Sequence, residues 1–143
     1  MRIKFISLLK GTAYPLNKEL LDTIADNISS IGDVEVVDNA PDLVHVFGKW
    51  SGTTATTMKG YTHKGIPVVF TSANGLVDIL PPPSLMLAPT VFHCCGPAEA
   101  ELIKKLLPKA SVKVIANEQF TLTTDRTTML RQFNDLYLSL IHI

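Results

Sequence analysis

Cysteine is scarce in these 143 residues: there are two, and they are neighbours, Cys94 and Cys95. Adjacent thiols cannot staple distant segments, and a disulfide between them is strained, so reduced, buried thiols are expected. An excess charge of either sign is also missing, because 13 Lys+Arg balance 13 Asp+Glu. The chain therefore lacks the long-range positive field of a general nucleic-acid binder or of a protein held on anionic lipid. No apolar run reads as a membrane span. The longest uncharged stretch, Ile79–Ala98, approaches the ~20 residues of a transmembrane helix, but Pro81, Pro82, Pro83, Pro89 and Pro97 break it. At the start, MRIKFISLLKG is cut by Lys4 and closed by Lys10, with no small-residue cleavage site behind it, and reads as a buried strand. These absences make the cytoplasm the expected compartment. Internal repeats are absent as well.

Apolar residues are plentiful, at 46% with a mean hydropathy of +0.24, enough to fill a core and to exclude a disordered chain. The length suits one domain of the usual ~100–200 residues. Short β-branched runs recur at Ile3–Leu9, Val34–Val37, Leu43–Phe47, Ile66–Phe70, Thr90–Cys94 and Val112–Ile115. Several are apolar at consecutive positions, as strands covered on both faces require.

Between them lie helical patterns. Leu16, Leu20, Leu21, Ile24, Ala25, Ile28 and Ile31 keep helical spacing between Pro15 and Gly32. A threonine-rich helix is expected over Thr53–His63, and another opens at Gly96-Pro97 and stops before Pro108, with acids in its first turn and lysines near its last. A final helix from about Asp125, with Thr124 as the expected cap, sets Met129, Leu130, Phe133, Leu136, Tyr137, Leu140 and Ile141 on one stripe. Strands alternating with helices predict an α/β fold: a doubly wound, mostly parallel sheet of about six strands, Rossmann-like, over residues 1–143 as a single domain. The stretch Thr71–Pro89 is long for a connection and reads as a functional loop, or as a loop holding a short helix near Leu76–Leu80.

In such sheets ligands bind beyond the carboxyl ends of the strands. That directs attention to Lys10–Tyr14, Gly48–Gly52, Thr71–Gly75 and Cys94–Pro97, and within them to Lys10, Gly11, Lys49, Trp50, Asn74, Gly75 and Gly96. Gly11 alone stands where G-x-G-x-x-G would mark a dinucleotide site, so no nicotinamide or flavin cofactor is expected. The acidic pair of a phosphoacceptor domain is missing from the same strand end. Lys49-Trp50-Ser51 joins a cation, an aromatic face and a hydroxyl, suited to a sugar or phosphate, with a plain surface loop as the alternative. Asn74-Gly75 suits a tight turn. Ser51 lacks a G-x-S-x-G elbow. His93-Cys94-Cys95 lacks the second ligand cluster a metal site needs, so no metal is expected; His93 reads as a hydrogen-bonded histidine near the sheet end, and His45 as half buried in a strand.

The segment PDLVHVFGKWSGTTATTMKGYTHKGIPVVFTSANG, Pro41–Gly75, resembles the N-terminal lobe of GT-B glycosyltransferases of the family 4-like retaining type. Asp42–Gly48 follows that family's D-[VI]-[VI]-H-[VI]-H-G strand end, and Gly65–Phe70 its G-x-P-[VI]-V strand. Val91–Ala100 looks like its V-S-x-x-E step into a helix, and Val112–Asn117 like the V-x-V-I-P-N-G closing the lobe. The likeness covers most of residues 1–118. It departs at Phe47, where the second histidine would stand; at Ser72-Ala73-Asn74, which replace the loop histidine; and at Ala116 and Glu118 in the closing motif.

The resemblance implies an acceptor-side lobe without the nucleotide-sugar-binding lobe, inactive alone, with the final helix crossing back onto the domain. It implies a second subunit carrying the missing lobe and a carbohydrate or glycolipid acceptor, or else a non-catalytic binder. Two alternatives remain from the residues themselves. One is a self-sufficient small enzyme or binder holding a phosphorylated metabolite at Gly96–Ala98 beside His93. The other is a module that forms a homodimer through the last helix or a sheet edge.

Overall fold

The structure, a computed structural model, describes residues 1–8, 15–49, 51–76, 89–117 and 125–141. Six strands, β1 (Arg2–Ser7), β2 (Glu35–Val36), β3 (Leu43–Gly48), β4 (Val68–Leu76), β5 (Val91–Cys94) and β6 (Val112–Val114), alternate with four helices. These are α1 (Pro15–Ile31), α2 (Gly52–Thr62), α3 (Pro97–Leu106) and α4 (Arg126–Ile141). The strands form one sheet in the order β2-β1-β3-β4-β5-β6, and every pairing is parallel.

Side-chain alternation along each strand divides the core into two layers. Ile3, Leu43, Phe47, Val69 and Val91 face α1 and α4, while Val44, Val46, Val68, Phe70, Phe92 and Cys94 face α2 and α3. Burial on both faces explains why β3 is apolar almost without interruption: all six of its residues are buried. The edge strands are short, two residues in β2 and three in β6, which limits the backbone left unpaired.

Local chemistry sets the element ends. Pro67 has no N–H to give the ladder, and β4 begins one residue after it, while the Pro67 carbonyl accepts from the Val44 amide at 3.0 Å. Gly65, with φ +79, makes the left-handed step between α2 and β4 that a side chain would resist. The cap of α4 is Asp125, whose Oδ1 accepts from the Thr128 amide at 2.7 Å; the expected cap, Thr124, lies outside the described residues. Its carboxyl is held below the usual range first by the Thr128 backbone bond, then by the Thr128 side chain.

The tight turn expected at Asn74-Gly75 is corrected. Pairing with β3 continues past Phe70 through Phe47↔Thr71 and Gly48↔Ser72, and β4 runs on to Leu76. The strand thus continues past its last pair with β3, at Ser72, and through Asn74-Gly75. Of the expected short helix, Leu76 is strand and residues 77–80 lie outside the described residues.

The last helix does cross back. Its buried face of Met129, Leu130, Phe133, Leu136, Tyr137 and Leu140 joins the core layer shared with α1 and the sheet. Where α1 ends, Gly32 lets Asn134 of α4 approach closely: a Cβ on Gly32 would lie 2.4 Å from Asn134 Oδ1 and 2.8 Å from its Cγ. Gly32→Ala must push the half-buried Asn134 amide aside, so a modest loss of about 0.5–1.5 kcal/mol, the cost of one off-rotamer side chain, is expected, read as a lower urea midpoint at unchanged slope.

Candidate functional site

In the order 2-1-3-4-5-6 the chain reverses direction across the sheet between β1 and β3, and doubly wound sheets open their ligand crevice at that switch, beyond the strand carboxyl ends. The Leu8 amide donates to the Phe47 carbonyl at 2.8 Å and ties the two ends together. Gly48 is buried beneath the first turn of α2, where a Cβ would come within 3.2 Å of Thr54 Oγ1 and 3.4 Å of Leu8 Cβ. The Ser51 hydroxyl caps α2, its Oγ accepting from the Thr54 amide at 3.2 Å. That side chain therefore shapes the rim and starts the helix.

Of the seven residues singled out from the sequence, two are placed in full. Lys49 is exposed at the end of β3, beside the switch. Gly96 is the N-cap of α3, in extended backbone with open space where a Cβ would stand, beyond the end of β5. Asn74 and Gly75 continue β4. Lys10, Gly11 and Trp50 lie outside the described residues.

At the start of α3 the protein supplies its own anion. Glu99 reaches back so that its Oε2 accepts from the Cys95 amide at 3.2 Å. Burial raises the Glu99 carboxyl above its usual range, and this hydrogen bond pulls the other way. A phosphate held at Gly96–Ala98 would meet that carboxylate. The neighbouring thiols are no better placed for chemistry: Cys94 turns into the α2/α3 layer and Cys95 packs on the α1/α4 layer, so they point to opposite faces. Burial, then Glu99, pushes the Cys95 thiol up to about 12, and burial raises Cys94 as well. Both stay protonated and unreactive near neutral pH. Among the described residues no group of three or more His, Cys, Asp or Glu is arranged to hold a metal.

The densest polar cluster lies inside the sheet. His45 Nδ1 sits 2.7 Å from Tyr137 Oη, His45 Nε2 2.8 Å from Thr71 Oγ1, Thr71 Oγ1 2.8 Å from His93 Nδ1, and His93 Nε2 3.0 Å from the Ile115 carbonyl. This chain runs from α4 through β3, β4 and β5 to the residue after β6. One end fixes every hydrogen in it. The Ile115 carbonyl can only accept, so His93 carries its proton on Nε2 and accepts on Nδ1 from the Thr71 hydroxyl. Thr71 then accepts from His45 Nε2–H, and His45 Nδ1 accepts from the Tyr137 hydroxyl. All four side chains are neutral. Burial, and then the neighbouring His93, depresses the His45 pKa well below 6.5. Burial lowers His93 to about 4 against the opposing pull of the Ile115 carbonyl, and burial raises Tyr137.

One sequence reading of a histidine changes here and one is sharpened. His45, expected to be half buried, is fully enclosed, because Phe5, Phe47, Phe133 and Tyr137 ring it. His93 is the hydrogen-bonded histidine the sequence suggested, but at 1% exposed with both ring nitrogens engaged it is enclosed, away from any metabolite at Gly96–Ala98.

No family model, curated protein or solved structure matches this chain. The site is therefore read from its geometry. One further cleft, of about 440 Å³, opens at the opposite end of the sheet, where Pro41–Asp42 and Gly65–Pro67 enter β3 and β4 beside Leu140–Ile141 of α4. Sequence reasoning missed it because its walls are ordinary connection residues, each unremarkable alone. None of the helices among the described residues is long and apolar enough to cross a membrane.

Proposed function

We propose that this domain is the acceptor-side lobe of a glycosyltransferase-like protein, binding a carbohydrate or glycolipid at the carboxyl ends of β1 and β3 and working with a separate nucleotide-sugar-binding partner in the cytoplasm. The observation that carries the reading is the bond between His45 and Tyr137. His45 belongs to the strand that resembles the family's D-[VI]-[VI]-H-[VI]-H-G end, and Tyr137 belongs to the last helix, which the resemblance expects to cross back onto this lobe. The resemblance expects the last helix to pack back on this lobe, and the His45–Tyr137 bond is a contact of that kind. Lys49, exposed beside the switch point, supplies a cation at the rim. The phosphorylated-metabolite alternative is weakened by the Glu99 carboxylate at the start of α3 and by the enclosure of His93.

The test has two arms. A ¹⁵N-labelled chain titrated with neutral oligosaccharides and glycolipid headgroups is expected to shift the amides of Ser7, Leu8, Gly48 and Lys49, while nucleotide-sugars leave them in place. A tagged chain should recover a stoichiometric partner with a nucleotide-sugar-binding lobe, and the pair should transfer sugar where neither does alone, with Lys49→Glu weakening acceptor use. Shifts confined to the Pro41–Asp42 and Gly65–Pro67 cleft, or a purified pair without transferase activity, would sink the proposal.

A further inference from the structure

The geometry points to an acid-sensitive latch: a one-directional chain of hydrogen bonds through His45, Thr71, His93 and Tyr137 that docks α4 on the sheet only while both histidines are neutral. A proton added to His93 goes to Nδ1, which then donates to Thr71 Oγ1. That oxygen already accepts from His45 Nε2–H, so the Thr71 hydrogen must find a new acceptor. It finds one only if His45 releases its Nε2 proton and turns an Nδ1–H toward Tyr137 Oη. The Tyr137 hydrogen then loses its acceptor, and the aromatic neighbours Phe5 and Phe133, with ring centroids 6.4 and 6.0 Å from that of Tyr137, offer no lone pair. A proton added directly to His45 Nδ1 displaces the same hydrogen. Either event strands a buried hydroxyl on α4.

The surroundings leave the charge without compensation. β1 contributes Phe5, β3 itself Phe47, β4 Thr71, β5 His93, and α4 Phe133 and Tyr137. Among the described residues the titratable group facing each ring is thus the other histidine, 6.3 Å away between centroids, with the Tyr137 hydroxyl also at His45. Two cations there would repel each other.

The sign follows from linkage. Above pH 6.5 the unfolded histidines are neutral too, and pH has no effect through them. Below it, the opened chain takes up protons that the closed one refuses, so opening becomes easier by up to ~10-fold per pH unit for each histidine and ~100-fold for the pair. For His93 this continues down to about 4. Closure is therefore strongest at neutral and alkaline pH and is lost on acidification.

The experiment is amide hydrogen exchange of α4, corrected for intrinsic rates, across pH 7.5 to 5, together with histidine side-chain ¹⁵N spectra. Protection of residues 130–140 is expected to hold steady above pH 6.5 and then fall by up to ~100-fold per unit, with both rings in the neutral Nε2–H form for as long as α4 is protected. In His93→Gln the fall should drop to ~10-fold per unit. If that variant does not fold, the wild-type spectra decide alone. A ring that titrates near 6.5 in the closed protein, an Nδ1–H tautomer on either histidine, or protection independent of pH overturns the latch.

Discussion

Thr71→Val should lower the unfolding free energy by about 2–6 kcal/mol, a large share of the ~5–15 kcal/mol of a typical domain. Valine keeps the shape of threonine, so neither a cavity nor a clash explains the loss. Its methyl offers nothing to the His45 Nε2–H or to His93 Nδ1, which the Thr71 hydroxyl serves at 2.8 Å on both sides. Two buried polar groups are stranded by one substitution, at ~1–3 kcal/mol each. Thr71→Ser keeps the hydroxyl and gives up a methyl group, so it should cost only about 1 kcal/mol. The comparison is made by urea denaturation at pH 7.5, where the histidines are neutral in both states. A valine variant as stable as the serine one would mean that the hydroxyl is not the centre of the chain.

The fold was legible in the sequence because it is written in local patterns. Consecutive apolar residues in Leu43–Phe47 announced a strand covered on both faces, and β3 is that strand, buried at every position. The stripe Met129–Leu140 announced a helix that had to dock, and six of its residues enter the α1/α4 layer. Local preference did not decide everywhere: Asn74-Gly75 favours a turn in isolation, but β4 runs on through it to Leu76.

The polar chain was not legible, since its members are far apart: His45 and Tyr137 are separated by 92 positions and His45 and Thr71 by 26. No periodicity links such residues. One signal was nonetheless present. A tyrosine within an apolar helical stripe brings a hydroxyl into the core, and that hydroxyl requires a partner. Two histidines in strands bring the same requirement. Counting those demands would have paired the groups without naming the geometry.

The same reasoning separates the rim of the sheet from its interior. Gly48 and Ser51 look like ligand-binding residues in one dimension, beside a strand end, but in the fold they admit a helix and cap it; Glu99, expected to serve the start of its helix, does so by accepting from the Cys95 amide. At the β1/β3 switch the described residues include the exposed side chains of Ser7, at the end of β1, and Lys49, at the end of β3.

Phe133→Ala carries the second large expectation, a loss of about 3–5 kcal/mol. Phe133 is fully buried on α4, and its ring stands edge-on to His93 at 4.7 Å between centroids, with His45 at 5.9 Å and Tyr137 at 6.0 Å. It is the apolar lid on the polar chain. Truncation opens a cavity beside two imidazoles, so the ordinary cost of removing a core aromatic is joined by water reaching groups that are held neutral by its exclusion. Two consequences separate this role from plain packing. The His93 ring should titrate at higher pH in Phe133→Ala than in the parent, because burial is the leading cause of its depression to about 4. In addition, the losses from Phe133→Ala and Tyr137→Phe should fail to add, as expected for side chains in contact within one network. Leu136→Ala, on the same helix but in the aliphatic part of the layer, provides the comparison: a cavity of similar origin with the His93 ring left as it was. An unchanged His93 titration in Phe133→Ala, measured by side-chain NMR on folded protein, would reduce Phe133 to filler and leave the neutrality of the chain to the sheet alone.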